Sequence, residues 1–147
     1  MLGRLLDYLT ARRMTIAGES MLPTLVPGDR AVFSVRAYRK ADPARGDIVL
    51  LRQPSGEGRL DVKRVVGLPG ETVVVAGGAV SINGERLQET YLNDLAEAPA
   101  RTESSWSLGA HSYIILSDNR DARGVVDSRT YGVVKREAIV GKFLRTF

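Results

Sequence analysis

The residue with the clearest potential as a nucleophile is Ser20, which lies in the segment Gly-Glu-Ser-Met-Leu-Pro-Thr-Leu at positions 18 to 25. Gly18 before it and Pro23 after it restrict the backbone, so this segment can form a turn that presents the serine hydroxyl. The same context also suits an ordinary loop serine. A serine becomes a strong nucleophile only when a neighbouring base accepts its proton, and a candidate base must therefore be sought elsewhere in the chain.

The candidate base is Lys63, which lies in the segment Asp-Val-Lys-Arg-Val-Val. This valine-rich segment predicts a β-strand, and strand alternation places Lys63 on the same face as Asp61 and Val65. A lysine in water is protonated at neutral pH and is a poor base, but burial penalises the ammonium and favours the neutral amine. A lysine enclosed by apolar side chains can therefore accept a serine proton, and Ser20 with Lys63 is the predicted catalytic pair.

Other catalytic chemistries have weaker support in the sequence. The chain has one histidine, His111, with no motif around it, so a turn or surface histidine is predicted in preference to a Ser-His-Asp triad. There is no cysteine, which excludes disulfides, cysteine nucleophiles and thiolate metal sites. Carboxylates are frequent but are not clustered at metal-ligand spacing, and we predict neither a metal site nor a cofactor.

Short segments of β-branched residues predict a mainly antiparallel all-β domain that would position this pair. Asn83-Gly84, between Val-Ser-Ile and Glu-Arg-Leu, predicts a tight hairpin. A polar stretch from about 93 to 107, around Trp106, predicts a loop, and the apolar segment 138–147 predicts a closing strand. The other predicted strands lie at about 31–35, 48–52, 61–66, 72–75, 80–82 and 113–116.

The first residues of the chain predict a different kind of element. Leucines at positions 2, 5, 6 and 9 recur at helical spacing, so residues 2–13 predict a short amphipathic helix. Two interpretations of its apolar face remain open. This face packs on the domain, or it lies on a membrane surface, where Arg12 and Arg13 would favour binding. We accordingly divide the chain into an amino-terminal amphipathic segment, 1–15, and one domain, 16–147.

The composition is that of a globular protein with a basic surface. Of the 147 residues, 44% are hydrophobic and 26% charged, so the chain can bury a core of its own. The formal charge of +4 suits an anionic partner, but the basic residues are spread along the chain, and no nucleic-acid partner is expected. No apolar stretch approaches the roughly 20 residues that cross a bilayer, and the amino terminus does not have the pattern of a secretory signal.

A third segment makes the pattern specific. After the serine segment comes Lys-Arg-Val-Val-Gly-Leu-Pro-Gly-Glu at 63 to 71, then Ser-Asp-Asn-Arg-Asp at 117 to 121 and Asp-Ser-Arg at 127 to 129. In this order, the segments resemble the box set of the bacterial type I signal peptidases over roughly residues 16 to 145. The resemblance implies an all-β protease domain that cleaves amino-terminal signal or leader peptides from precursor proteins with a Ser-Lys dyad.

The resemblance also implies a role for each residue of these boxes. Ser20 attacks the peptide carbonyl after Lys63 takes its proton, and water then hydrolyses the acyl-enzyme. The oxyanion is expected to be held by the Ser20 backbone N–H in a nucleophile loop that includes Gly18 and Met21; some members have a serine hydroxyl donor at the Gly18 position, which this chain lacks. The residues expected to support the lysine and the loop around it are Asp118, Asn119, Arg120, Asp127, Ser128 and Arg129.

The third segment departs from the family pattern at three points. Ser117 replaces the usual glycine, the span to Asp127 is longer than usual, and Val125 occupies the expected site of a serine that orients the lysine. Three consequences remain open. Ser128 or a water takes the orienting role, the loop bulges to bring in another hydroxyl, or the activity is weak or restricted to some substrates.

The resemblance implies precursor proteins with signal or leader peptides as partners, and a location at the outer face of the bacterial plasma membrane. Most members have amino-terminal membrane spans, whereas this sequence begins close to its serine segment. The alternative is a soluble cytoplasmic protease that trims the leader of a dedicated precursor, such as nickel superoxide dismutase. A LexA-like self-cleaving domain is disfavoured because no helix-turn-helix or cleavable Ala-Gly linker is present. The non-enzyme alternative is a basic β-domain that binds nucleic acid or lipid.

Overall fold

The regular secondary structure of the described chain consists mainly of two antiparallel β-sheets, which confirms the predicted all-β fold. The computed structural model describes residues 9–54, 56–92 and 102–147. No helix in these ranges is long and apolar enough to cross a membrane. In chain order the elements are β1 (Arg12–Thr15), β2 (Arg30–Ser34), a 3₁₀ turn (Ala37–Arg39), β3 (Ile48–Arg52), β4 (Leu60–Gly67), β5 (Thr72–Ala76), β6 (Ala79–Ile82), β7 (Glu85–Arg86), β8 (Glu103–Ser107), β9 (Ser112–Leu116), α1 (Ser128–Tyr131), β10 (Val134–Lys135), a second 3₁₀ turn (Arg136–Ala138) and β11 (Ile139–Thr146).

The larger sheet has seven strands in the order β1-β2-β11-β3-β4-β9-β10, and every neighbouring pair is antiparallel. β4 lies inside this sheet, and its three valines pack in three apolar clusters, with Val66 in the cluster shared with the smaller sheet. Val62 packs with Phe33 and Leu50 on one face, and Val65 packs with Tyr113 on the other. A strand that is covered on both faces also buries the lysine that lies between these two valines.

The smaller sheet has four strands in the order β7-β6-β5-β8. It packs on β9 through an apolar cluster that includes Val73 of β5 and Ile114 of β9. Gly67, at the end of β4, allows the two sheets to approach closely, because a Cβ atom at this position would lie 2.7 Å from Val73 Cγ2 and 3.0 Å from Ile114 Cβ. A larger residue there would require the sheets to move apart.

The strands predicted from β-branched segments all overlap observed strands. The predicted hairpin is also confirmed: Asn83 and Gly84 connect β6 to β7 with φ angles of 51° and 85°, as a two-residue turn between twisted strands requires. The closing strand predicted for 138–147 is β11, which lies between β2 and β3 and pairs with both.

The predicted amphipathic helix over residues 2–13 is wrong at its carboxyl end. Arg12 and Arg13 lie in β1, where they pair with Phe33 and Val32 of β2; residues 1–8 lie outside the described part of the chain. The hydrogen bonds to β2 replace those that a helix would form within itself. Leucine periodicity reports only local spacing and cannot indicate this long-range partner.

The predicted loop from 93 to 107 is wrong over its last residues. Glu103–Ser107 form β8, which pairs along its whole length with β5; residues 93–101 lie outside the described part of the chain. Trp106 packs against the apolar cluster of the smaller sheet. One aromatic residue among polar ones is a weak strand signal, and the pairing with β5 outweighs it.

Candidate active site

An open cleft of about 700 Å³ lies on the larger sheet beside β4. One wall is formed by residues 14–21, and another by residues 59–63 at the start of β4. Residues 122–126 of the third segment and Gln53 complete the lining. The serine and lysine segments, far apart in sequence, therefore face the same cavity.

Within this cleft the Lys63 amine lies within hydrogen-bond reach of the Ser20 hydroxyl. Nζ donates to Ser20 Oγ at 3.2 Å, to Asp61 Oδ1 at 2.8 Å and to the Val62 carbonyl oxygen at 3.3 Å. Only 2% of the Lys63 side chain is exposed. A serine hydroxyl next to a buried amine is an arrangement in which the amine, once neutral, can take the hydroxyl proton.

The loop that presents Ser20 is anchored to the core by apolar contacts. Met21 and Leu25 are buried in the cluster that includes Phe33, and the Leu25 N–H donates to the Met21 carbonyl at 2.9 Å. Gly18 has a φ of 76°, a left-handed conformation that glycine adopts without strain. Ser20 therefore lies at the rim of the cleft on a loop with one well-defined shape.

The third segment holds the same loop from the other side. The Asn119 N–H donates to the Ser20 carbonyl at 2.9 Å, and the Asn119 side-chain amide donates to the Glu19 carbonyl at 3.0 Å. Within the described ranges, the Ser20 N–H has no hydrogen-bond partner. This N–H is therefore available to a negatively charged oxygen that forms next to the serine.

Asp118 connects the serine loop to the strand of the lysine. Its carboxylate accepts from Arg64 Nε at 2.8 Å and Nη2 at 2.7 Å, and from Thr24 Oγ1 at 2.6 Å. The guanidinium also donates to the Gly46 carbonyl and stacks on Tyr91 at 3.7 Å from the ring centre. Because Arg64 and Asp118 are both buried, this network fixes the serine loop relative to β4.

The remaining predicted residues of the third segment contact one another. The Asp127 carboxylate accepts from Arg129 Nη2 at 2.8 Å and from the Ser117 N–H at 3.0 Å. Burial alone would raise the pKa of Asp127, but the hydrogen bonds from Arg129 and the Ser117 N–H outweigh it and lower the pKa below its usual range. Arg120 donates to the Gly78 carbonyl and pairs with Glu89. These contacts determine the shape of the third segment.

Of the six predicted supporting residues, none is bonded to Lys63 Nζ; Asp118 and Asn119 contact the serine loop, and the other four brace the third segment. Ser128, a candidate to orient the lysine, instead accepts from the Ile115 N–H at 2.9 Å. Val125 lines the cleft. His111 lies exposed in the turn before β9.

Sequence reasoning missed three residues of this site: Asp61, Arg64 and Thr24. The sequence contained a signal for two of them, because Asp61 and Arg64 are charged residues close to the lysine in a segment otherwise rich in valine. A charged side chain in a buried strand requires a partner. Thr24 has no comparable signal, because its partner Asp118 lies 94 positions away.

The fold and the site define a β-sheet protein in which a serine loop and a buried lysine meet in an open cleft, as in hydrolases that use a serine nucleophile. The family model described as signal peptidase, peptidase S26, matches residues 3–147, and the chain belongs to this family. The resemblance inferred from the three sequence segments is therefore confirmed.

Named relatives agree with this membership. The chain is 38% identical over 139 residues to a signal peptidase I of Leptolyngbya laminosa, covering 90% of this chain and 66% of that relative. It is 30% identical over 143 residues to signal peptidase IB of Staphylococcus aureus (strain Mu50), covering 87% and 73%. A crystal structure of a signal peptidase I from Enterococcus faecalis V583 matches with a TM-score of 0.59 and 29% identity, covering 69% of this chain and 97% of that chain. The chain spans 66% of the length of the Leptolyngbya relative and 58% of a probable signal peptidase I-2 of Synechocystis.

Proposed function

We propose that the protein is a serine endopeptidase that removes signal or leader peptides from precursor proteins, with Ser20 as nucleophile and Lys63 as general base. The observation that carries this proposal is the 3.2 Å contact between Lys63 Nζ and Ser20 Oγ in an open cleft. Family membership supports the substrate class, because relatives of this chain are signal peptidases.

The reaction follows from the positions of these groups. The neutral Lys63 amine takes the Ser20 proton while Oγ attacks the peptide carbonyl carbon. The oxyanion of the tetrahedral intermediate accepts a hydrogen bond from the Ser20 N–H. The Lys63 ammonium then donates its proton to the leaving amine, which leaves an ester on Ser20. In the second half of the reaction the amine deprotonates a water molecule, which attacks the ester and releases the new carboxyl end.

The cleft suits an extended substrate, and family membership supports small side chains near the cut. Residues 14–18 and 60–63 form two facing walls, which would hold a peptide along its length. The backbone of Ile16 is already bonded to Gly28 and Asp29, whereas within the described ranges the N–H groups of Ala17 and Gly18 have no partner. Both residues follow the end of β1, where free backbone groups can bind an extended peptide whose alternate side chains enter shallow pockets.

The test is cleavage of a signal-peptide substrate with an Ala-x-Ala site by the purified chain. Ser20→Ala and Lys63→Ala are each expected to lower kcat/KM by at least about 10³-fold, because nucleophile and base act as one unit. Ser81→Ala and Lys40→Ala are the matched controls, since both lie away from the cleft. An ester trapped on Ser20 and detected by mass spectrometry would identify the nucleophile, and unimpaired cleavage by Lys63→Ala would refute the dyad.

A second proposal concerns place: the protein acts at the outer face of the plasma membrane and contacts lipid through residues 2–13. The supporting observation is that Leu9 is 74% exposed next to the exposed side chains of Arg12 and Arg13. The chain is expected to float with vesicles that contain anionic lipid, and Leu5→Asp to reduce this more than Val35→Asp, a change at an exposed apolar residue elsewhere. Equal flotation of both variants would refute the role of residues 2–13, and no flotation by the parent would favour the soluble leader-trimming protease.

A further inference from the structure

Asp61 is a carboxylate inside the candidate active site that the proposed reaction does not use. It lies two residues before Lys63 on β4, so strand alternation places both side chains on the same face. Its Oδ1 atom is 2.8 Å from Lys63 Nζ, closer than Ser20 Oγ at 3.2 Å. The Asp61 side chain is 26% exposed and lines the cleft.

The carboxylate is held in place by its own strand. Oδ1 accepts from the Val62 N–H at 2.9 Å as well as from Lys63 Nζ. This second bond orients the carboxylate toward the amine. The three acceptors of Nζ are therefore Ser20 Oγ, Asp61 Oδ1 and the Val62 carbonyl, and the last two belong to β4 itself.

The third segment offers the amine no equivalent acceptor. Val125 of that segment lines the cleft with an apolar side chain. The hydroxyl of Ser128 is bonded to the Ile115 N–H, and the Asp127 carboxylate is bonded to Arg129 and Ser117. Asp61 thus supplies the side-chain acceptor that, together with Ser20, defines the position of the amine.

We propose that Asp61 is the positioning residue for Lys63: its carboxylate holds Nζ beside Ser20 Oγ. This inference rests on the proposed function of Ser20 and Lys63. Without Asp61 the long lysine side chain can turn away from the hydroxyl, which lowers kcat with little change in KM.

Few other charges act on this pair from the surrounding elements. Glu19 from the serine loop, Arg59 before β4 and Arg123 from the third segment line the same cleft, and all three are exposed. From α1, Tyr131 faces Asp61: burial raises the pKa of this phenol, and the charges of Asp61 and Asp127 raise it further. Tyr131 is therefore uncharged at neutral pH, and Asp61 is the charged group in direct contact with the Lys63 amine.

The first experiment measures kcat and KM separately for the parent chain, Asp61→Asn and Asp61→Ala. Asp61→Ala lacks the acceptor and is expected to lose about tenfold or more in kcat with little change in KM. The asparagine side chain keeps an oxygen acceptor, so Asp61→Asn is expected to recover most of that loss. Asp121→Asn, at an exposed carboxylate outside the cleft lining, is the control. A kcat of Asp61→Ala equal to that of the parent chain would refute the inference.

A second measurement is independent of peptide cleavage. The chain has four lysines, at positions 40, 63, 135 and 142, so the ¹³Cε signals of a lysine-labelled sample are few, and Lys63→Ala assigns the signal of interest. At one fixed pH, the chemical shift of that signal is expected to differ between the parent chain and Asp61→Ala and to be unchanged in Asp121→Asn. Such a difference in a chain that cleaves no substrate would retain the Asp61 contact and refute the proposed function. An unchanged chemical shift in Asp61→Ala would refute the role of Asp61 whether or not the chain is active.

Discussion

The two sheets of this protein differ in what they bury. The smaller sheet packs on valines such as Val73, Val75 and Val80. In the described ranges, none of the buried polar or charged side chains lies on its four strands. The larger sheet and the third segment beside it contain the buried charges, namely Lys63, Arg64, Asp118, Arg120 and Asp127.

This difference indicates where the structure serves function. The smaller sheet shows that valine-rich hairpins of this chain pack without buried charges. Burial of an ion costs free energy unless it is paired and hydrogen-bonded. Each buried charge near the cleft has such partners, from Lys63 with Asp61 to Arg64 with Asp118. We interpret these pairs as the means by which the serine loop and the lysine are held in fixed positions relative to each other.

The largest expected effect comes from breaking the Arg64–Asp118 pair. Asp118→Ala leaves a buried guanidinium without its partner and is expected to cost about 3–5 kcal/mol of unfolding free energy, as well as most of the cleavage activity. Urea denaturation followed by fluorescence of Trp106 measures the first effect. Thr24→Val is the milder variant, because it frees the serine loop and leaves the ion pair intact, and it should lower cleavage more than stability. A loss below about 1 kcal/mol in Asp118→Ala would contradict the assigned role.

The smaller sheet should show the opposite behaviour. Val80→Ala removes buried apolar volume remote from the cleft and is expected to cost about 1–3 kcal/mol of unfolding free energy. The folded variant should cleave substrate at the rate of the parent chain, since Val80 packs in the apolar cluster of the smaller sheet and does not line the cleft. Denaturation and kinetics on the same preparation check both expectations. A fall in kcat as large as that of Thr24→Val would mean that packing in the smaller sheet also affects the cleft, so that the two sheets do not have separate roles.

Acid pH should weaken the third segment more than the smaller sheet. The pKa of Asp127 is lower in the folded protein than in the unfolded chain, so its carboxylate stabilises the fold above about pH 4. That contribution is lost as the pH falls through the folded pKa, because protonation then removes the bonds from Arg129. Unfolding free energy measured between pH 5 and pH 2 should decrease less steeply in Asp127→Asn than in the parent. Equal slopes would show that this carboxylate makes no pH-dependent contribution.

The smallest expected effect is that of Val125→Ser. If Asp61 already supplies the acceptor for the amine, a hydroxyl at position 125 adds little, and kcat/KM should stay within about threefold, or about 0.7 kcal/mol. The same change in an Asp61→Ala background is a stricter test, because Lys63 Nζ then lacks the Asp61 carboxylate as an acceptor. A large gain in the single variant would instead mean that the lysine of the parent chain is poorly oriented.

Much of the fold was predictable because it depends on neighbours in sequence. Runs of β-branched residues predicted most strands to within a residue or two, and Asn83-Gly84 predicted the hairpin, since turn geometry depends on these two residues alone. The failures lie where a distant strand decides the outcome. Arg12 and Arg13 are extended because β2 pairs with them, and Glu103–Ser107 form a strand because β5 does.

The candidate site shows the same boundary between local and long-range information. The sequence by itself determined that Ser20 and Lys63 were the residues to examine, through the order and content of their segments. Only the tertiary structure decided that they lie 3.2 Å apart across 43 positions, that Asp61 is the nearest partner of the amine, and that Asp118 reaches Arg64 across 54 positions. Hydrogen bonds and ion pairs act over a few ångströms, and which distant residues come within that range is determined by how the strands pair and pack.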